Sequence, residues 1–178
     1  MVERLICNEE VRSSNLLGST KSVKRKKNKI NLQIFQTYQS AILNSIGSKQ
    51  YRSLVAIVSG KKVDILKGGR LSCAYYVSSI LYLFKQLKGV HATVDSTVRD
   101  LMRSGWNKVE KPVLGSVIVW KADREFGKDM HKHIGFYIGG GKAVSNSSKL
   151  RYPTKHSWNY GGKRKVEIVL WNRKLSQS

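Results

Sequence analysis

In GGRLSCAYYVSSILYLFKQL, residues 68–87, a Gly68-Gly69 break is followed by apolar residues spaced three and four apart. Cys73, Tyr76, Val77, Ile80, Leu81, Phe84 and Leu87 fall on one side of a helix. A core helix is therefore expected to begin at or just before Cys73. Ser78, Ser79 and Lys85 interrupt the apolar run, which falls short of the roughly 20 residues that span a bilayer. No membrane span is expected.

Upstream, Ile30, Ile34, Tyr38, Ala41, Ile42 and Ser45 describe one face of an amphipathic helix over residues 30–46, stopped by Gly47. LVAIVSGKKVDIL predicts a hairpin in which Leu54–Val58 and Val63–Leu66 flank Ser59-Gly60-Lys61-Lys62. Downstream, Thr93–Ser104 predicts a further helix, with Val94, Val98, Leu101 and Met102 on one side and Gly105 as its stop. Beyond it, VLGSVIVW, HIGFYIG, KAVSNSS and KVEIVLW are β-branched and aromatic runs punctuated by Gly, Lys and Pro. Four strands following helices predict an α+β domain.

The chain has 178 residues, 40% of them apolar, which suits one domain with a real core. Its 33 Lys and Arg against 11 Asp and Glu leave a net charge of +22. Such an excess favours polyanionic surroundings: nucleic acid, anionic lipid or an anionic cell-wall polymer. Residues 1–30 are polar and culminate in KSVKRKKNK, which predicts a mobile basic arm ahead of a domain over 31–178. The arm would serve as a solubilising tail or as an electrostatic tether to an anionic polymer.

Glu3, Arg4, Glu9 and Glu10 stand where an export signal needs an apolar core, so a cytoplasmic protein, or one exported by a non-classical route, is expected. Cys7 and Cys73 are the only cysteines, too few for a disulfide framework or a structural zinc site.

A cysteine nucleophile works as a thiolate, and a helix N-terminus favours negative charge there through its orphan N–H groups and dipole. Cys73 has that address. The same N–H groups could contribute to an oxyanion hole. The thiol needs an imidazole base, and the base needs a polar group to fix its tautomer; His133, opening a strand, is the candidate base. Taken singly, Cys73 also reads as a small buried hydrophobe and His133 as a solvated strand-edge side chain.

SCAYYVSSIL, LGSVIVW and HIGFYIGGGKAVSNSS together resemble the nucleophile helix, first core strand and histidine hairpin of the NlpC-type cell-wall endopeptidases and related CHAP amidases. The resemblance covers roughly residues 50–172. It implies a papain-like α+β fold and cleavage of amide bonds, typically in peptidoglycan stem peptides or cross-bridges, without metal or organic cofactor. It also implies Cys73 as nucleophile and His133 as general base and then general acid. Two departures stand out: Ser72 replaces the Asp that precedes the nucleophile in many relatives, and Leu114-Gly115-Ser116 lacks the acidic residue that follows their Pro-Gly.

The third member is Ser145 or Asn146. Equal-length matching to the family hairpin selects Ser145, and a one-residue slip selects Asn146. A two-residue loop at Gly140-Gly141 would set Asn146 opposite Gly135 on the face of His133. A three-residue loop reverses the parity and brings Ser145 there. Asn is the better orienter chemically, because its carbonyl accepts the imidazole N–H unambiguously.

The other histidines suit packing or surface roles as well as functional ones. His131 lies in a polar stretch before the strand, His91 between two helices, and His156 near Trp158 and Tyr160, where aromatics could wall a substrate cleft. A metal site from His131, His133 and His156 is conceivable but lacks a carboxylate partner or a His-Glu-x-x-His pattern. Two rival functions stand beside the wall hydrolase. One is a cytosolic amidase, deamidase or acyltransferase using the same pair; the other is a nucleic-acid-binding protein that needs neither residue.

Overall fold

The computed structural model describes residues 30–123 and 131–177. Among them are three α-helices: α1 (Ile34–Asn44), α2 (Cys73–Leu83) and α3 (Val94–Arg103). β1 (Val55–Val58) and β2 (Lys61–Asp64) pair as a hairpin. A second antiparallel sheet contains β3 (Asn107–Lys108), β4 (Val117–Trp120), β5 (His133–Tyr137), β6 (Lys142–Asn146), β7 (Pro153–Ser157) and β8 (Val166–Trp171). Its spatial order is β3-β8-β4-β5-β6-β7. Helices first and antiparallel strands after make these residues α+β, as the sequence predicts. The basic arm, apart from Ile30, and Cys7 lie outside the described residues.

Helix α2 begins at Cys73, where the apolar periodicity places its start. Gly68 and Gly69, with φ of +64° and +94°, swing the chain into it. The helix buries Tyr76, Val77, Ile80 and Leu81 in one core with Ile134 and Phe136 of β5 and Val144 of β6. Each such side chain contributes on the order of 1.5–3 kcal/mol when fully buried, so this face fixes the height of Cys73 over the sheet. From α1, Tyr38 donates a 2.8 Å hydrogen bond to the Gly115 carbonyl and meets Phe136 edge to face. The buried Tyr76 hydroxyl finds a partner in Ser45 at 2.8 Å.

Strand pleating sends alternate residues to opposite faces. Ile134 and Phe136 face the helices, so His133 and Gly135 face away from them. There a smaller core of Ile118, Trp120 and Ala143 is covered by Tyr137, Trp158, Tyr160 and Val166. This second face carries the polar side chains of the candidate site.

Several expectations shift in detail. The β1–β2 loop has two residues, Ser59 and Gly60, both at positive φ, and Lys61 and Lys62 enter β2. Met102 is exposed, whereas Thr97 and Asp100 join Val94 and Leu101 on the buried side of α3. Asp100 is buried because its Oδ2 accepts from the Lys88 and Gly89 N–H groups and pairs with His91 Nε2 at 2.8 Å. His91 therefore helps clip the α2–α3 connection to α3. Strand β7 was not expected, since PTKHS has no apolar alternation.

Candidate active site

Cys73 is the first residue of α2 and His133 the first of β5, so each side chain sits at the end of its element. Both line one cleft of about 1470 Å³, together with Ser145, His156, Tyr160 and Arg164. Among the described residues no hydrogen bond joins the thiol to the imidazole; such pairs are often long without substrate and tighten with it.

Cys73 as a residue is half-buried. Burial pushes its pKa up, against opposing pulls from the N–H groups of Ala74 and Ile134, the Arg164 cation and its own N–H. The helix start thus acts in the expected direction, but desolvation outweighs it and the resting group is a thiol. Ser72, the N-cap, makes no side-chain cap, and its fully buried hydroxyl has no hydrogen-bond partner among the described residues. Its carbonyl accepts the Tyr76 N–H at 2.8 Å, the first hydrogen bond of the helix.

The β5–β6 turn decides which of Ser145 and Asn146 faces His133. Lys142 N–H donates to the Gly139 carbonyl at 2.9 Å and Ile138 N–H to the Lys142 carbonyl at 3.0 Å. The loop is therefore the three residues Gly139, Gly140 and Gly141, all at positive φ. In this register Ser145 lies opposite Gly135. The Ser145 hydroxyl stands 2.8 Å from His133 Nε2.

Asn146, favoured on chemical grounds with the shorter loop, turns elsewhere. Its Nδ2 donates to the Gly69 carbonyl at 2.8 Å, and its Oδ1 is buried without a partner among the described residues. It ties the glycine turn ahead of Cys73 to β6 instead of orienting the imidazole. The physical reason for the correction is the extra loop residue, which inverts the side-chain parity of the strand.

His156 lies on β7 opposite Ala143. Its Nε2 is 2.7 Å from Ser145 Oγ and its Nδ1 is 2.8 Å from the Ser157 carbonyl. Its ring stacks on Tyr160, with centroids 4.2 Å apart, and the Tyr160 hydroxyl is 3.2 Å from Ser145 Oγ. The His133 ring lies against Trp120, whose indole N–H donates to the Trp158 carbonyl at 2.8 Å.

Arg164 is buried and donates to the Lys121 and His131 carbonyls. Its guanidinium lies 5.8 Å from the Tyr160 ring centre. Burial, then Arg164 and His156, hold His133 well below the ordinary imidazole pKa. His156 is lowered as well, chiefly by burial, with Arg164 adding to it against the Ser157 hydrogen bond. Both rings are neutral near pH 7.

His131 is exposed and lines the cleft mouth. Among the described residues no three His, Cys, Asp or Glu side chains are grouped to hold a metal; His133 and His156 are linked through Ser145. Sequence reasoning missed the contribution of Arg164, one cation among 33, and the joining of His156 to Ser145, which depends on the β6–β7 register. Compared with known proteins, the chain matches no family model and no curated protein at a significant level.

Proposed function

We propose that the protein is a cysteine hydrolase of papain-like fold that cleaves amide bonds, with peptidoglycan peptides as substrate, through Cys73, His133 and Ser145. One observation carries the reading. His133 is bonded through Nε2 to Ser145 at 2.8 Å, which leaves Nδ1 as its other nitrogen, in a cleft it shares with a helix-start thiol. Nucleophile, base and orienting group thus come from three separate elements that meet in one place.

In the proposed reaction Cys73 Sγ attacks the amide carbonyl carbon while its proton passes to His133 Nδ1. The carbonyl electron pair moves to oxygen, where N–H groups at the start of α2 stabilise it. Collapse expels the amine, which takes the proton from His133 and leaves a thioester. Water, deprotonated by His133, adds to the thioester; breakdown releases the carboxylic acid and returns the proton to sulfur. Because both groups rest neutral, His133 acts as a true general base at the moment of attack. Arg164, whose positive charge favours the thiolate, offsets the negative charge that develops on sulfur.

The cell-wall substrate is drawn from the resemblance, and the net charge of +22 suits the anionic polymers of a bacterial envelope. The same charge favours a second reading, nucleic-acid binding independent of Cys73. A turnover assay separates them. Cys73→Ala is expected to abolish cleavage of purified peptidoglycan or small amides while the fold persists. Unchanged turnover, or salt-dependent nucleic-acid binding with no amidase activity, sinks the hydrolase.

A further inference from the structure

We infer that His156 is a positioning residue that selects, through the Ser145 hydroxyl, which nitrogen of His133 carries the proton. This rests on the hydrolase reading for its consequence, but its geometry stands independently. A serine is an ambiguous third member. It has one proton and two lone pairs and can rotate to donate or to accept, so alone it would tolerate either tautomer of His133. Only the tautomer with hydrogen on Nε2 leaves Nδ1 able to take a proton.

His156 and the carbonyl behind it remove the ambiguity. The Ser157 carbonyl accepts only, so His156 Nδ1, 2.8 Å away, carries a proton. In the neutral ring Nε2 then bears a lone pair and accepts the Ser145 O–H at 2.7 Å. The Ser145 proton is thus already spent on His156, so any other contact of its oxygen must be one in which it accepts. The Tyr160 hydroxyl, 3.2 Å from Ser145 Oγ, therefore donates to it. Hydrogen bonds thus run in one direction from phenol to serine to His156 to carbonyl. The only proton on Ser145 is committed to His156, and toward His133 the serine can only accept. His133 Nε2 must donate across its 2.8 Å contact.

Packing holds this polarity in place. Ser145 is 1% exposed, and the His156 ring is fixed between Tyr160 at 4.2 Å and Trp120 at 5.7 Å. A protonated His156 would reverse the chain by donating to Ser145; burial and the nearby Arg164 cation oppose that charge.

The test is long-range 1H–15N spectroscopy of histidine-labelled full-length protein, which distinguishes imidazole tautomers, alongside kinetics. Wild type and Cys73→Ala are expected to show His133 as the Nε2–H tautomer. His156→Leu frees the Ser145 proton; His133 should then populate both tautomers, and kcat should fall about 10- to 100-fold with KM little changed. His156→Gln, whose carbonyl can accept from Ser145, should restore the tautomer and most of kcat. An Nδ1–H tautomer in wild type overturns the inference with no variant needed. So does a His156→Leu protein with unaltered tautomer and kcat. If Cys73→Ala retains turnover, the hydrolase reading fails while the tautomer comparison still decides the relay.

Discussion

Ser145 packs against the bare α-carbon of Gly135 across the β5–β6 pair: a Cβ at 135 would lie 2.6 Å from the Val144 carbonyl oxygen and 2.7 Å from Ser145 Cβ. Both obstacles belong to the strand that carries the orienting hydroxyl, so the clash cannot be relieved without moving Ser145 from His133. Gly135→Ala is expected to lower stability by about 2–4 kcal/mol, read by urea denaturation, and to remove activity from the fraction that folds.

Neighbouring substitutions on β6 should separate cleanly. Ser145→Ala removes the acceptor for His133 Nε2 and should lower kcat by about 10- to 100-fold with a small change in melting temperature. Asn146→Ala leaves the Gly69 carbonyl without its donor, at a cost of about 1–3 kcal/mol. Its larger effect should appear in thermal unfolding. Equal kinetic losses from the two variants would contradict the assigned register.

The pH behaviour follows from two neutral groups. His133 stays deprotonated below the usual imidazole range, so the acidic limb of kcat/KM should lie well below about pH 6.5. Cys73 titrates above the ordinary thiol, so iodoacetamide labelling should be slow near neutrality and still rising above about pH 8.5. A labelling plateau reached below pH 7 would indicate a thiolate–imidazolium pair instead.

The depressed histidines also affect folding. The unfolded chain binds protons at His133 and His156 before the native state does. Stability should therefore fall as pH drops below about 6.5, the unfolded value. Denaturation curves at pH 7.5 and 5.5 check this, and the double variant with both histidines replaced by Gln should lose much of the difference.

Asp100 supplies a separate stability test away from the cleft. Burial pushes its carboxyl up, but hydrogen bonds from His91, the Gly89 N–H, Ser104 and the Lys88 N–H outweigh it and hold it below the usual range. That stabilisation is present above the unfolded carboxylate pKa and lost as pH falls through the lower folded one. Asp100→Ala should destabilise by about 2–4 kcal/mol at pH 7, measured by denaturant titration, with catalysis by folded protein unchanged.

The α2 start at Cys73 was legible because a long apolar period and a double-glycine break agree on it. The strands at Val117, His133, Lys142 and Val166 were legible from β-branched runs. The choice between Ser145 and Asn146 was not, because Gly139-Gly140-Gly141 offers loops of either length and one residue of slip inverts a strand. The place of His156 depends on a β7 strand whose polar sequence carries no alternation, so nothing local pointed it at Ser145. Nor does sequence weigh desolvation against a helix dipole; the thiol's upward shift follows only from the packing around Cys73.

The proposed hydrolysis passes through a covalent thioester on Cys73. Protein mixed with purified peptidoglycan fragments, quenched in acid within the turnover time and peptide-mapped by mass spectrometry tests it directly. Wild type should carry an acyl mass on the Cys73 peptide, and Cys73→Ala should carry none and fail to release new amino groups. Cleavage by Cys73→Ala at the wild-type rate, with no adduct on the wild-type thiol, would contradict the thioester route.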